Sequence, residues 1–308
     1  MSSKSVMVIT AHPDDECLFF SPILLNLIRR GLEVHVLCLS SGDFYGLGTL
    51  RAHEFRRSAS ALGVAPDFAH LVNDSRLSDG PGRYWPPEVV ASVVDSFVTT
   101  YRIDVVVTFD DGGVSGHPNH CAISAGMRYL LNQRIHSRQS RVSEKPGALP
   151  LLHQPPIAPI ECMVLETTTF ARKYIGLLDL VLSWILDLLL HTHLCDKELA
   201  SEMLQNRVSG VVPTLVVSGP IDVLTSMFAM LAHRSQLVWY RLLFVLFARY
   251  TYFNTLRPIS LTEHESGRRR SAFVLSGADC TPLQAQHHTT RIAENNRPKV
   301  SRRRTAAI

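Results

Sequence analysis

The sequence predicts an α/β fold: a mostly parallel sheet with helices on both faces. Short β-rich apolar runs alternate with helical patterns through the first 130 residues. One of these runs, "DVVVTF", is apolar nearly throughout, as expected of a strand covered on both sides. Two unusual polar clusters, "AHPDDE" and "DDGGVSGHPNH", stand directly behind two of the strands, where open parallel sheets bind their ligands.

The elements follow in order. Ser5–Thr10 is the first strand, and a helical pattern runs from about Asp15 to Arg30 and stops at Gly31. Glu33–Ser40 ("EVHVLCLS") is the second strand. The Gly-rich "SGDFYGLG" then leads into a helix at Leu50–Leu62 that ends at Gly63. A short strand falls around Phe68–Val72, and "DGPGRYWPP" is a loop with a Pro-initiated helix behind it. Asp104–Phe109 is a strand and His117–Leu131 the next helix. Residues 133–160 lose periodicity and read as a mobile, basic insertion. "ECMVLETTT" offers another strand, and strongly apolar helices follow at about Arg172–His191 and Met227–Tyr250. The expected domain is 1–260, with 261–308 a disordered basic tail.

Composition narrows the class. The chain has 308 residues, 46 % of them hydrophobic, and a formal charge of +4. From Thr262 onward nine basic residues face four acidic ones, so the body is about one unit negative. A basic tail on a near-neutral body is no nucleic-acid-binding domain, and no nucleic acid is expected as partner. The six cysteines show no CxxC and fit reduced thiols in a cytosol-facing protein. No signal peptide precedes the first strand, and no stretch of about 20 residues is free of charge.

The clusters carry the chemistry. In "AHPDDE" an aspartate could cap the following helix, at whose start acidic residues are favourable. The second cluster argues for more. Pro118 suits a first helical turn, and His117 and His120, three residues apart, can lean to one side of it. His12 and Asp15 repeat that spacing at the other strand end. Two imidazoles and a carboxylate around an ion leave a position open, the composition of a catalytic zinc site. A further aspartate and a further histidine then remain, one to take a proton from water and one to stabilise the oxyanion. That inventory suits hydrolysis of an amide or ester. Zinc is the choice on donor type, although the same donors accept iron, cobalt or nickel.

"AHPDDE" with "GVSGHPNH" resembles the LmbE-like, or PIG-L-like, family of zinc-dependent de-N-acetylases. "RKYIGLLDL" and "HRSQLVWYRLLFVLFARYTYFNTL" are similar to its eukaryotic branch, and the resemblance runs from about Val6 to Pro258. It implies a Rossmann-like fold and hydrolysis of a linear amide, the N-acetyl group of N-acetylglucosaminyl-phosphatidylinositol, in the second step of GPI-anchor assembly. It also implies metal ligands at His12, Asp15 and His120, a general base at Asp14, and His117 at the oxyanion or leaving amine. Arg51 and His233 match positions near the substrate. For Arg51 the competing reading is a surface pair with Glu54; for His233 it is a satisfied interior histidine.

The resemblance further implies a glycosylphosphatidylinositol lipid as substrate and a place on the cytosolic face of the endoplasmic reticulum membrane. Mammalian-type members resemble single-pass proteins with a membrane helix ahead of the catalytic domain. Here two internal segments offer membrane-surface association. In "YIGLLDLVLSWILDLLL" Asp179, Ser183 and Asp187 form a polar stripe. In "LVWYRLLFVLFARYTYF" the aromatic residues Trp239, Tyr240, Phe244 and Phe247 accompany Arg241 and Arg249, expected to snorkel. Ordinary core helices are the alternative for both. Two other functions compete: deacetylation of another N-acetylglucosamine-containing substrate, and non-catalytic binding of phosphoinositide or a partner on the same fold.

Overall fold

The computed structural model describes residues 4–80, 82–142, 158–176, 178–179 and 211–261. In chain order these form β1 (Ser5–Thr10), α1 (Asp15–Leu18), α2 (Ser21–Arg29), β2 (Glu33–Cys38), α3 (Gly48–Ala61), β3 (Ala69–Leu71), α4 (Pro87–Thr100) and β4 (Val105–Phe109). Then come a short turn α5 (Gly113–Gly116), α6 (Pro118–Val142), β5 (Glu161–Leu165), α7 (Phe170–Lys173), β6 (Leu215–Val217), α8 (Pro220–Ala232), α9 (Trp239–Phe247), α10 (Arg249–Tyr252) and β7 (Phe253–Pro258).

The seven strands make one Rossmann-like sheet in the order β3-β2-β1-β4-β5-β7-β6. The first five are mutually parallel, and β7 runs antiparallel to both β5 and β6. Valine-rich runs explain the centre. Val6, Met7, Val8 and Ile9 of β1 and Val105, Val106 and Val107 of β4 are buried, because helices cover the sheet. Strand β1 lies between β2 and β4, so the chain reverses its direction of winding there. The ends of β1 and β4 are thus neighbours at the switch point.

The helix expected over Asp15–Arg30 is two pieces. Helix α2 starts at Ser21 with no side chain capping its first turn from within. The missing partner comes from the far end of the chain. Asn254 of β7 accepts the Ile23 N–H through Oδ1 (3.1 Å) and donates through Nδ2 to the Phe19 carbonyl (2.8 Å). One buried amide thereby satisfies an N–H in the first turn of α2 and the carbonyl of the residue that ends α1.

Several expectations are corrected. Helix α6 does not stop near Leu131 but continues to Val142, so the first part of 133–160 is helical. Arg134 bonds the Asp95 carboxylate (2.8 Å) and the Ala158 carbonyl (3.1 Å). Residues 143–157 of that segment lie outside the described residues, as do 180–210, with Ser183 and Asp187, and the tail from 262. The long apolar helix expected to end at Tyr250 instead breaks into α8, α9 and α10 and turns into β7.

Asp179 does not line an exposed polar stripe. It is buried and paired with Arg172 Nε (2.6 Å) and Arg249 Nη1 (2.9 Å). Arg249 does not snorkel either: it is buried, with its guanidinium 4.3 Å from the Phe253 ring centroid. Arg241 turns inward, towards the loop that follows β1.

Candidate active site

The loop after β1 is built around two carboxylates with different tasks. Asp15 Oδ2 accepts the backbone N–H groups of Ala11 and His12, both at 2.9 Å, which fixes its carboxylate beneath the loop. Asp14 is the N-terminal flanking residue of α1, yet its side chain caps nothing. Its backbone sits at φ 110°, a region that L side chains rarely adopt. Such a conformation persists only where its surroundings over-determine it.

Glu16 supplies that constraint. Its Oε2 accepts the Asp14 N–H (3.0 Å), while Oε1 takes the Ser58 hydroxyl (2.5 Å) and pairs with His233 Nε2 (2.6 Å). Glu16, Cys17 and His233 lie close enough together to suggest a metal site. Their donors are already engaged, however: the Cys17 thiol donates to the Asp14 carbonyl (3.2 Å), and burial pushes its pKa well up. We read this cluster as a brace.

The loop after β4 is tied down by the two aspartates of "DDGG". Asp110 accepts the Gly112 N–H (3.0 Å) and the Thr167 N–H (2.9 Å), and the Thr167 hydroxyl also donates to it. Asp111 holds Ser124 (2.6 Å) and Arg128 on α6. These carboxylates shape the turn that presents the histidines. At Gly113, with φ +51°, a Cβ would stand 2.9 Å from both His120 Cβ and Cys121 Sγ. Only glycine lets the turn pass so close to the His120 ring.

His120 is fixed on three sides. Its ring stacks on Phe109 at 3.9 Å between centroids with 3° between planes, and Phe19 meets it edge-on. Its Nδ1 lies 3.1 Å from the Gly113 carbonyl, which requires Nδ1 to carry the proton. His120 Nε2 is buried and faces Asp15 Oδ1 at 3.3 Å without a hydrogen bond, and His117 Nδ1 is likewise buried and unpartnered. A second-layer carbonyl fixing the tautomer of an imidazole is the usual support of a metal ligand.

Ligand atoms of His12, His117 and His120 lie within 4.8 Å of one another. Asp15 Oδ1 is 3.3 Å from His120 Nε2, and Asp15 Oδ2 is 3.9 Å from His12 Nδ1. The expected ligands His12, Asp15 and His120 therefore converge, and His117 converges with them. Three imidazoles and a carboxylate, with two ring nitrogens making no hydrogen bond, fit a divalent transition metal.

The electrostatics match this convergence. Burial works to raise the Asp15 pKa, but His120 and His12 overcome it and hold the carboxyl well below the usual range. Burial raises the Asp14 pKa, and neighbouring Arg241 opposes the rise. Burial lowers His117 to about 4, with His120 and His12 adding to the effect.

The two positions expected near substrate are placed differently. Arg51 does not pair with Glu54, which instead takes the Ser235 N–H (2.7 Å) and hydroxyl (2.5 Å). The Arg51 guanidinium bonds the Gly42 carbonyl (2.7 Å), the Pro13 carbonyl (3.1 Å) and Gln236 Oε1 (2.5 Å), and lies 3.8 Å from Asp79. A Cβ at Gly42, where φ is +65°, would collide with it at 2.2 Å. His233 is fully buried between Glu16 and Gln236, so it braces Asp14 through Glu16. This placement is that of the satisfied interior histidine that competes with a substrate contact at this position.

Four site residues carry no signal of their own in the sequence. Asn119 Nδ2 and Asp79 Oδ1 stand 2.9 and 3.2 Å from His12 Nε2. Gln236 and Arg241 reach the site from the segment around α9. Asp79 lies in "DGPGRYW" and Gln236 and Arg241 in "HRSQLVWYR", but the residues they meet in the site are far away along the chain.

A family profile described as "PIG-L: GlcNAc-PI de-N-acetylase" matches residues 7–130, from β1 into α6. The chain is 33 % identical over 250 residues to N-acetylglucosaminyl-phosphatidylinositol de-N-acetylase of Bos taurus, covering 81 % of each chain. It is 31 % identical over 261 residues to a probable enzyme of the same name from Dictyostelium discoideum, covering 83 % of this chain and 93 % of that one. Among solved structures, N,N'-diacetylchitobiose deacetylase from Pyrococcus horikoshii superposes with a TM-score of 0.54 at 16 % identity. That likeness covers 84 % of this chain and 85 % of the other, and it supports the α/β architecture. With its fold, its two polar strand ends and these relatives in agreement, the chain belongs to the GlcNAc-PI de-N-acetylase family.

Proposed function

We propose that the protein hydrolyses the N-acetyl group of N-acetylglucosaminyl-phosphatidylinositol, releasing acetate and leaving a free amine, the second step of GPI-anchor assembly. The observation that carries this reading is the convergence of His12, Asp15, His117 and His120, with the buried nitrogens His117 Nδ1 and His120 Nε2 making no hydrogen bond. A divalent metal held by His12, Asp15 and His120, for which zinc is the choice on donor type, would supply Lewis acidity at the amide carbonyl and ease deprotonation of water.

The protein's own groups do the rest. Asp14 takes a proton from the attacking water. The water oxygen bonds to the carbonyl carbon, and His117 donates an N–H to the oxygen that becomes negative. The C–N bond then breaks, and the proton taken from water leaves on the amine nitrogen. Glu16 and His233 hold Asp14 in place during this exchange.

The lipid substrate calls for a membrane surface, and we infer that the protein works on the cytosolic face of the endoplasmic reticulum. Among the described residues no helix is long and apolar enough to cross a membrane. Helices α8 and α9 nevertheless expose Ile221, Leu224, Phe228, Trp239, Tyr240, Leu243 and Phe247, with Phe228 66 % and Trp239 74 % accessible. Aromatic and aliphatic side chains in this arrangement suit a membrane interface.

The test is acetate release by the purified protein from the lipid in detergent and in vesicles, with and without chelator, beside Asp14→Ala. Release that stops with chelator and with the variant is the expected result. No release by the zinc-loaded protein in either medium would overturn the reading. Release from soluble N-acetylglucosamine glycosides alone would transfer the activity to a different substrate.

A further inference from the structure

Helix α9 presents a contrast. Most of its residues are apolar and exposed, yet it carries one cation, Arg241, that points inward. The Arg241 guanidinium pairs with the Asp14 carboxylate and donates to Gln236 Oε1 (3.1 Å). Arg51 donates to the same amide oxygen at 2.5 Å. Two guanidinium groups thus converge on one neutral acceptor beside the metal-ligand cluster.

Their situations differ. The Arg51 side chain is 12 % exposed and anchored by two backbone carbonyls, so it is a fixed strut. The Arg241 side chain is 28 % exposed, and among the described residues its polar partners are Asp14 and Gln236, both in the site. Its flexible stem can swing the charge without moving the backbone of α9. While Arg241 holds Asp14, one oxygen of the carboxylate that is to take a proton from water is engaged. A partner that draws Arg241 away leaves both oxygens free.

On the reading given under Proposed function, the substrate brings that partner with it. A phosphodiester is an anion, and planar guanidinium groups favour phosphate over most other acceptors. We propose that Arg241 is the subsite for the phosphodiester of the lipid-linked glycoside, and that the substrate anion replaces Asp14 as its partner. Substrate arrival and release of the base are then one event. Preference for an anionic, membrane-borne glycoside over a neutral one is carried by a residue of α9, apart from the metal ligands on the β1 and β4 loops.

The experiment compares two water-soluble substrates, so that acyl chains and vesicle binding play no part. One is the deacylated glycerophospho form, N-acetylglucosaminyl-inositol with its phosphodiester; the other is N-acetylglucosaminyl-inositol without phosphate. The quantity read is the ratio of kcat/KM for the first over the second, in wild type, Arg241→Gln and Arg241→Lys. We expect wild type to favour the phosphodiester. In R241Q the ratio falls about 10- to 100-fold, the weight of one charge-assisted hydrogen bond to phosphate. R241K retains part of the preference, since it keeps the charge without the planar fork. Equal losses on both substrates, leaving the ratio at the wild-type value, would overturn the subsite and reduce Arg241 to a partner of Asp14. A wild-type ratio near one would overturn it as well. Should R241Q prove insoluble, R241K decides: an unchanged ratio there overturns the proposal. Failure of wild type on both substrates is a different result, because it removes the deacetylase reading itself.

Discussion

Replacing Glu16 with glutamine probes a residue that touches neither the metal-ligand cluster nor the site opening. Glu16 is fully buried and accepts three hydrogen bonds: the Asp14 N–H, the Ser58 hydroxyl and His233 Nε2. Glutamine keeps the shape but has one accepting oxygen, so its NH2 must face at least one of those donors. Losing one or two bonds to a charged acceptor costs about 3 kcal/mol. At about 2–4 °C per kcal/mol for a domain of 150–250 residues, the melting temperature should fall by about 6–12 °C.

The more telling effect is on turnover. Asp14 holds its φ of 110° because Glu16 fixes its N–H, so Glu16→Gln should lower kcat while leaving the content of bound metal at the wild-type value. The double variant with Asp14→Ala separates positioning from general damage. If Glu16 acts through Asp14, it costs little further activity once Asp14 is gone. Thermal unfolding, bound zinc after dialysis and acetate release on the four proteins make the measurement. A melting temperature within about 1 °C of wild type with full kcat, or additive losses in the double variant, would refute the brace.

Two further outcomes are expected. Gly113→Ala places a Cβ 2.9 Å from His120 Cβ at a positive φ, so the turn must shift and bound zinc should weaken about 10- to 100-fold, read by competition with a metal indicator. Asp179→Ala strands the buried Arg249 guanidinium and should cost about 3–5 kcal/mol by denaturant unfolding; Asp179→Ala with Arg249→Met should recover part of that loss.

The parallel part of the fold was legible because its strands are short, nearly unbroken apolar runs whose type is set locally. The strand β7 was not, since "FNTLRP" mixes Asn, Thr, Arg and Pro into its six residues and lacks the unbroken apolar run of the central strands. The end of α6 was misplaced for the opposite reason: past Leu131 the helix continues on polar residues, where hydrophobic periodicity says nothing. The histidines and Asp15 were visible through their spacing on either side of two strand ends. Asp79, Gln236 and Arg241 were not, because contacts such as Arg241 with Asp14, 227 residues apart, leave no trace in local pattern. The tail of the second apolar segment misled in a physical way: Arg249 resembles an interfacial arginine until its partner Asp179, from a distant stretch, is known.

The amide of Asn254 has a consequence in time. It completes the start of α2 from the last strand of the sheet, so the beginning of the chain waits on its end. During synthesis the loop that carries His12 and Asp15 leaves the ribosome early, joined to a helix whose first turn lacks its partner until almost the whole domain has been made. Partial chains that contain His12, Asp15 and His120 but end before Asn254 should hold the start of α2, and with it the loop ahead of it, less firmly than the whole domain does.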